Sequence, residues 1–209
     1  MRTVLLTGFE PFTPYKSNPT EELARALDGY HAGDLIVRSA VLPVHHLNAA
    51  SLMRELIDAL RPHVVLHLGL AGGRARVALE RVAVNVMDYA VPDNAGCRKT
   101  DEPCVADGPP AYFATLPLRS ILARLTDAGI PAYISDTAGT YLCNQTLYTT
   151  LHRVHSLGAA HSLGAAPLVG FVHLPLSPAM VAAAGTDEPS MDVPLMRRAV
   201  ELTLQTLAS

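Results

Sequence analysis

In the stretch TYLCNQTLYTTL, from Thr140 to Leu151, the residue pattern predicts a helix whose first turn carries a thiol, Cys143. At a helix start the unpaired N–H groups and the positive end of the dipole favour a thiolate, lowering a group that ordinarily ionises near about 8.5. The small residues of the preceding DTAGT let a ligand approach that helix end closely. The same N–H groups can receive the oxyanion of an acyl transfer. The alternative is a buried inert cysteine, because free thiols pack as small hydrophobes.

A cysteine nucleophile needs a base, and the chain has nine histidines. His173 follows the apolar run LVGFV and precedes LPLSP, which places it at the C-terminal edge of a buried strand. That is the edge where ligands bind in open α/β sheets. Glu80, inside VALERVAVNV, is a carboxylate in an otherwise apolar strand, and burying it is costly unless it is paired. It would orient the imidazole of a Cys-His-Glu acyl-transfer site, or form a salt bridge with a neighbour such as Arg81. Cys97 and Cys104 fall in a loop and read as exposed thiols, an adventitious pair at most. The pairs His45–His46 and His63/His67 lack a coherent third ligand, so no metal site is expected. No dinucleotide, P-loop or G-x-S-x-G motif occurs.

These residues need a sheet to hold them, and the chain alternates strand-length apolar runs with segments of helical period, an α/β pattern. TVLLTG, LIVRSAVLP, HVVLHLG, PAYISD and PLVGFVHLP read as strands, and RVALERVAVNV as one extended apolar segment. Helices are predicted over NPTEELARAL, HHLNAASLMRELIDAL, LRSILARLTDAG, the Cys143 segment and VPLMRRAVELTLQTLA. The first is the clearest: Asn18 caps it, Pro19 suits its first position and Glu21 completes a capping-box-like pattern. Pro92 to Pro110, rich in Pro, Gly, Asp and Asn, is expected to be a long surface loop. HSLGAA stands twice in tandem, at His155–Ala160 and His161–Ala166, too short for a solenoid repeat and expected to be functionally silent.

At 209 residues, 49% apolar and 17% charged, the chain suits a single domain, 1–209, with a buried sheet. A net charge of −3 with scattered basic residues gives nucleic acid or an anionic membrane nothing to bind. No signal-peptide pattern and no apolar run of membrane-spanning length is visible. Three cysteines without an export signal point to the cytoplasm.

Together the blocks TGFEPF with NPT, GLAGGR, ERVAVN with PDNAG, SDTAGTYLCNQTLY and GFVHLPLSP resemble the family of pyroglutamyl peptidase I, or pyrrolidone-carboxylate peptidase, along nearly the whole chain. The resemblance implies a three-layer α/β/α sandwich with a mixed, mostly parallel central sheet. It implies a cytoplasmic cysteine exopeptidase that removes an N-terminal pyroglutamyl residue from peptides through a thioester. It implies no metal or cofactor and a homotetramer or dimer. Its catalytic residues fall on Glu80, Cys143 and His173. Its aromatic pocket falls on Phe9, Phe12 and Tyr141, and Asn18, Leu70 and Leu142 complete the implied substrate-binding set. Leu70 stands in the turn where many relatives have Gln, and Ala90 where many bacterial members have an arginine. The Cys143–His173 interval is longer than the family's, which the HSLGAA duplication accounts for. A nucleoside-phosphorylase-like enzyme and a non-catalytic binding domain are the alternatives, and neither needs Cys143.

Overall fold

Side chains alternate between the two faces of a strand, and here each face is roofed by helices. The computed structural model describes residues 1–157 and 166–208. In chain order its elements are β1 (Arg2–Phe9), α1 (Pro19–Ala26), β2 (His31–Ala32), β3 (Leu35–Leu42), α2 (His46–Leu60), β4 (Val64–Leu70), β5 (Val77–Glu80) and β6 (Val82–Val84). Then follow β7 (Ala111–Phe113), α3 (Leu118–Asp127), β8 (Ala132–Ser135), α4 (Leu142–Leu157), β9 (Leu168–Leu174), α5 (Pro178–Ala184) and α6 (Val193–Leu207). Seven strands form the main sheet in the order β2-β3-β1-β4-β9-β5-β8, and β6 pairs with β7 apart from it. The sheet is mixed: β1 runs parallel to β3 and β4, β4 to β9 and β5 to β8, while β5 is antiparallel to β9.

On one face, Val4, Leu6, Leu66, Leu68, Val172 and Leu174 pack against α1, α3 and α6 through Leu23, Ile121, Leu125 and Met196. On the other, Leu5, Phe9, Val65 and Phe171 meet α2 and α4 through Met53, Ile57, Leu147 and Leu151. Each such buried side chain contributes roughly 1.5–3 kcal/mol. The result is the three-layer α/β/α sandwich. In β9, His173 shares the parity of Val169 and Phe171, so its ring lies on the α4 face, the layer that carries Cys143.

Local signals explain most helix starts. Asn18 Oδ1 accepts from Thr20 N at 3.0 Å and Pro19 takes the first position of α1. Glu21 does not close a capping box; it pairs with Arg25 one turn on, at 3.0 Å. The segment expected to be one extended run divides at Arg81, whose N–H donates to Ser135 O while β6 leaves the sheet for β7. β2, β7 and α5 have no counterpart in the sequence pattern. The 92–110 loop is not wholly superficial: Asp93 is buried, and Met87 and Glu102 form an isolated bridge. Of the tandem HSLGAA copies, only 155–157 and Ala166 fall within the described residues. Among those residues no helix is long and apolar enough to cross a membrane.

Candidate active site

Cys143 is the second residue of α4, and the turn before it is fixed from several sides. Gly139 takes a left-handed φ of 78°, which favours glycine, and its N–H donates to Thr137 Oγ1. Thr140 Oγ1 donates to Asp88 O at 2.7 Å, and Asp88 N donates back to Thr140 O. Immediately after the thiol, buried Asn144 accepts from Val84 N and donates to Val84 O and Val86 O at 2.9–3.0 Å. The helix start is thereby clamped to β6. Sequence reading passed over Asn144, although a polar residue beside a candidate nucleophile is a usable signal.

Glu80 ends β5 and is fully buried; His173, second from the end of β9, is 4% exposed. His173 Nδ1 lies 2.7 Å from Glu80 Oε1, and Arg74 Nη1 donates to the same oxygen at 2.8 Å. Glu80 therefore does form a salt bridge, but with Arg74 from the turn after β4. Arg81 points the other way and pairs with Asp136, as strand alternation requires of consecutive residues. Burial alone would raise the Glu80 carboxyl, but the hydrogen bond and charge of His173, with help from Ser135 and Arg74, hold it below its ordinary value. Room for the imidazole comes from Gly69, where an added Cβ would lie 2.5 Å from the Phe171 ring and 2.9 Å from His173 Cδ2.

The thiol departs from the sequence expectation. Burial pushes Cys143 up to about 12, and the Glu80 carboxylate adds to the rise. Arg74 and the residue's own backbone N–H act in the expected direction but are outweighed. Desolvation disfavours the thiolate more than one helix end favours it. Burial thus favours the protonated thiol, and the Glu80 carboxylate that orients His173 lies close enough for its charge to act on it.

A small cavity opens on Cys143, with only about 40 Å³ of free volume, far below the hundreds of Å³ of typical small-molecule sites. It is lined by Phe9, Phe12, Asn18, Leu70, Tyr141 and Leu142, with Val44 completing the wall. All six residues expected at the substrate site meet there; Val44 was not foreseen. Leu70 is the last residue of β4, not part of the following turn. Phe12 and Tyr141 face each other at 6.3 Å, and Tyr141 stands edge-on to Tyr89 at 4.8 Å while its hydroxyl donates to Pro92 O. Asn18 spends its carbonyl oxygen on Thr20 and one N–H on Glu10 O. Glu10 is turned from the cavity: its Oε1 accepts from Val44 N and Asn94 Nδ2, both at 2.9 Å. Ala90 is exposed and brings no charge.

The remaining candidates are structural. Cys97 and Cys104 are unpaired, and Cys104 is half-buried with its Sγ against Val86 O, so the two are neither fully exposed nor a pair. His45, His46 and Asp93 approach metal-ligand spacing. Their atoms are nevertheless engaged: His45 Nδ1 caps α2, while Asp93 accepts from His46 Nδ1 and from the N–H groups of His46, Ala95 and Cys97. The two imidazoles are stacked within 2° of parallel, so their lone pairs do not converge on one point. Buried His67 bridges Thr7 Oγ1 and Thr150 Oγ1, tying β1, β4 and α4 together. A larger groove of about 460 Å³ between α2 and α4 does not include Cys143.

A thiol at a helix start, a carboxylate-oriented histidine and a ligand cavity on an α/β/α sheet are the parts of a cysteine hydrolase, and known proteins of the same build agree. The pyroglutamyl peptidase family model matches residues 2–209. The pyrrolidone-carboxylate peptidase of Pyrococcus furiosus is 41% identical, over 98% of this chain and 99% of the relative. That of Chromobacterium violaceum is 45% identical, over 98% and 93%. The solved pyrrolidone carboxyl peptidase from Thermococcus litoralis superposes with a TM-score of 0.92 at 39% identity, covering 99% of this chain and 93% of that one. The chain belongs to the pyroglutamyl peptidase family.

Proposed function

We propose that this chain is a cysteine exopeptidase that hydrolyses the amide bond after an N-terminal pyroglutamyl residue, with Cys143 as nucleophile, His173 as base and Glu80 as its orienting group. The observation that carries this is the aromatic and apolar cavity that opens on Cys143, a thiol within reach of the charge of Glu80, the same buried carboxylate to which His173 Nδ1 is committed. Nε2 is then the nitrogen left for the thiol.

In the proposed reaction His173 takes the thiol proton as sulfur attacks the pyroglutamyl carbonyl carbon. The first N–H groups of α4, which have no partner within the helix, receive the oxyanion. Protonated His173 then gives its proton to the leaving amine, and the C–N bond breaks to leave a thioester. His173 next takes a proton from water, whose oxygen attacks the thioester carbon; the C–S bond then breaks, protonated His173 returns its proton to the sulfur, and free pyroglutamate departs. A high-lying thiol makes the base indispensable, because no standing thiolate is available without it. No metal or cofactor enters these steps. The whole chain is proposed to act as one catalytic domain that assembles as a homotetramer or dimer.

The test is release of a dye from a pyroglutamyl-linked chromogenic amide by the wild type and by Cys143→Ala. Turnover by the wild type alone is expected; equal turnover by both would overturn the reading.

A further inference from the structure

Arg74 is a charged group at the site with no assigned part in the reaction. It sits just past Gly73, in the turn that follows β4, and places Nη1 2.8 Å from Glu80 Oε1. That oxygen also faces His173 Nδ1, whereas the fully buried Oε2 has no hydrogen-bond partner. Two donors thus converge on one carboxylate oxygen, with Ser135 adding to the hold on its charge. Of the other titratable groups, Cys143 in the first turn of α4 feels both Glu80 and Arg74, Tyr141 just before that helix feels Asp93 and Cys143, and Arg81 is turned to Asp136. Without Arg74, the buried Glu80 carboxylate, whose charge reaches the thiol, would lose the guanidinium paired with it.

Building on the cysteine-peptidase reading above, we propose that Arg74 is a positioning residue of the triad, holding the Glu80 carboxylate against His173 and cancelling its charge at Cys143. Both effects reach the reaction through other groups, since the guanidinium pairs with Glu80 and does not line the cavity on Cys143. An ion pair kept for fold stability alone would leave the protonation of Cys143 unchanged when broken. A cation that offsets Glu80 must change it: removing a positive charge makes loss of a proton from the thiol–imidazole pair harder.

The experiment compares wild type, Arg74→Gln and Arg74→Lys by two readouts. One is the pH profile of kcat/KM on a pyroglutamyl amide; the other is the rate of iodoacetamide alkylation at Cys143, followed by peptide mass. For Arg74→Gln the acid limb is expected to move up by about one pH unit and alkylation at pH 8 to slow about tenfold. KM should change less than kcat, and Arg74→Lys should recover most of the loss. A soluble Arg74→Gln with the wild-type acid limb and alkylation rate would overturn the proposal. If unpaired Glu80 prevents that variant from folding, Glu80→Gln and Glu80→Gln/Arg74→Gln carry the comparison. Alkylation should be slower in the double variant, and equal rates would overturn the proposal. A wild type that cleaves no pyroglutamyl amide would defeat the substrate reading instead, leaving the alkylation comparison intact.

Discussion

His173 reaches Glu80 diagonally across the antiparallel junction of β9 and β5. The register sets His173 opposite Ala78 and Glu80 opposite Phe171, and the two side chains meet on one face, Nδ1 to Oε1, at 2.7 Å. Ninety-three residues separate them in the chain. The contact is a two-residue offset between neighbouring strands, so a slip of one residue in either would send the ring and the carboxylate to opposite faces.

Cys143→Ser is expected to fold normally and to lose activity by on the order of a thousandfold or more, since a hydroxyl is a far weaker nucleophile with the same base. Steady-state hydrolysis of the chromogenic amide, with thermal unfolding as the control, measures it. A variant within a few-fold of wild type would remove sulfur from the mechanism.

His173→Ala should be comparably impaired. Glu80→Gln keeps a group of the same shape opposite the imidazole but forfeits the charge and leaves Arg74 unpaired, so a loss of about a hundredfold or more, milder than for His173→Ala, is expected. Unchanged kinetics in Glu80→Gln would mean that the carboxylate serves only as the Arg74 ion pair.

Selectivity should follow charge. A pyroglutamyl terminus is a neutral lactam, whereas glutaminyl and prolyl termini carry a primary or secondary ammonium cation at pH 7. Glu10, the one carboxylate in the blocks forming the cavity that could have paired with it, is occupied by Val44 N and Asn94. An unpaired buried charge costs about 4 kcal/mol or more, so kcat/KM for the two cationic amides should be lower by about a thousandfold. Comparable values for all three amides would exclude a neutral pocket.

Buried His67 should govern acid stability. Burial pulls it from 6.5 down to about 3, so the folded chain keeps it neutral while the unfolded chain takes up a proton below pH 6.5. Stability attributable to this residue is therefore complete above pH 6.5 and falls toward pH 3, by about 1.4 kcal/mol per pH unit once well below 6.5. Urea unfolding at pH 7, 6 and 5 should show a shallower loss for His67→Gln than for wild type, whatever their starting stabilities. Parallel slopes would show that His67 is hydrated in the folded state.

Much of the fold, and the candidate residues of the proposed triad, were legible because their signals are local. Strand-length apolar runs, Asn18 before Pro19, and a thiol at a helix start are all visible in short windows. β2 and β7 escaped because two- and three-residue strands exist only through their partners. The Arg74–Glu80 pair escaped because sequence proximity suggested Arg81, which strand alternation turns to the opposite side. The thiol's ionisation was misjudged for a related reason: a helix end can be read from sequence, whereas the burial that outweighs it is assembled from β5, β9 and the pocket walls. Asp93, which caps its own loop and grips His46, went unread for want of any local pattern.

Gly69 makes its contribution by leaving a space empty. Its missing side chain would occupy the place of the Phe171 and His173 rings, so the orientation of the His173 imidazole depends on a residue of the neighbouring strand β4 that has no side chain of its own. For anyone diversifying this enzyme, the position is a forbidden one hidden behind the catalytic surface. A single methyl there would crowd the imidazole while Glu80, Cys143 and His173 all remained in the sequence, and a search that protected only those three would admit impaired variants without seeing why.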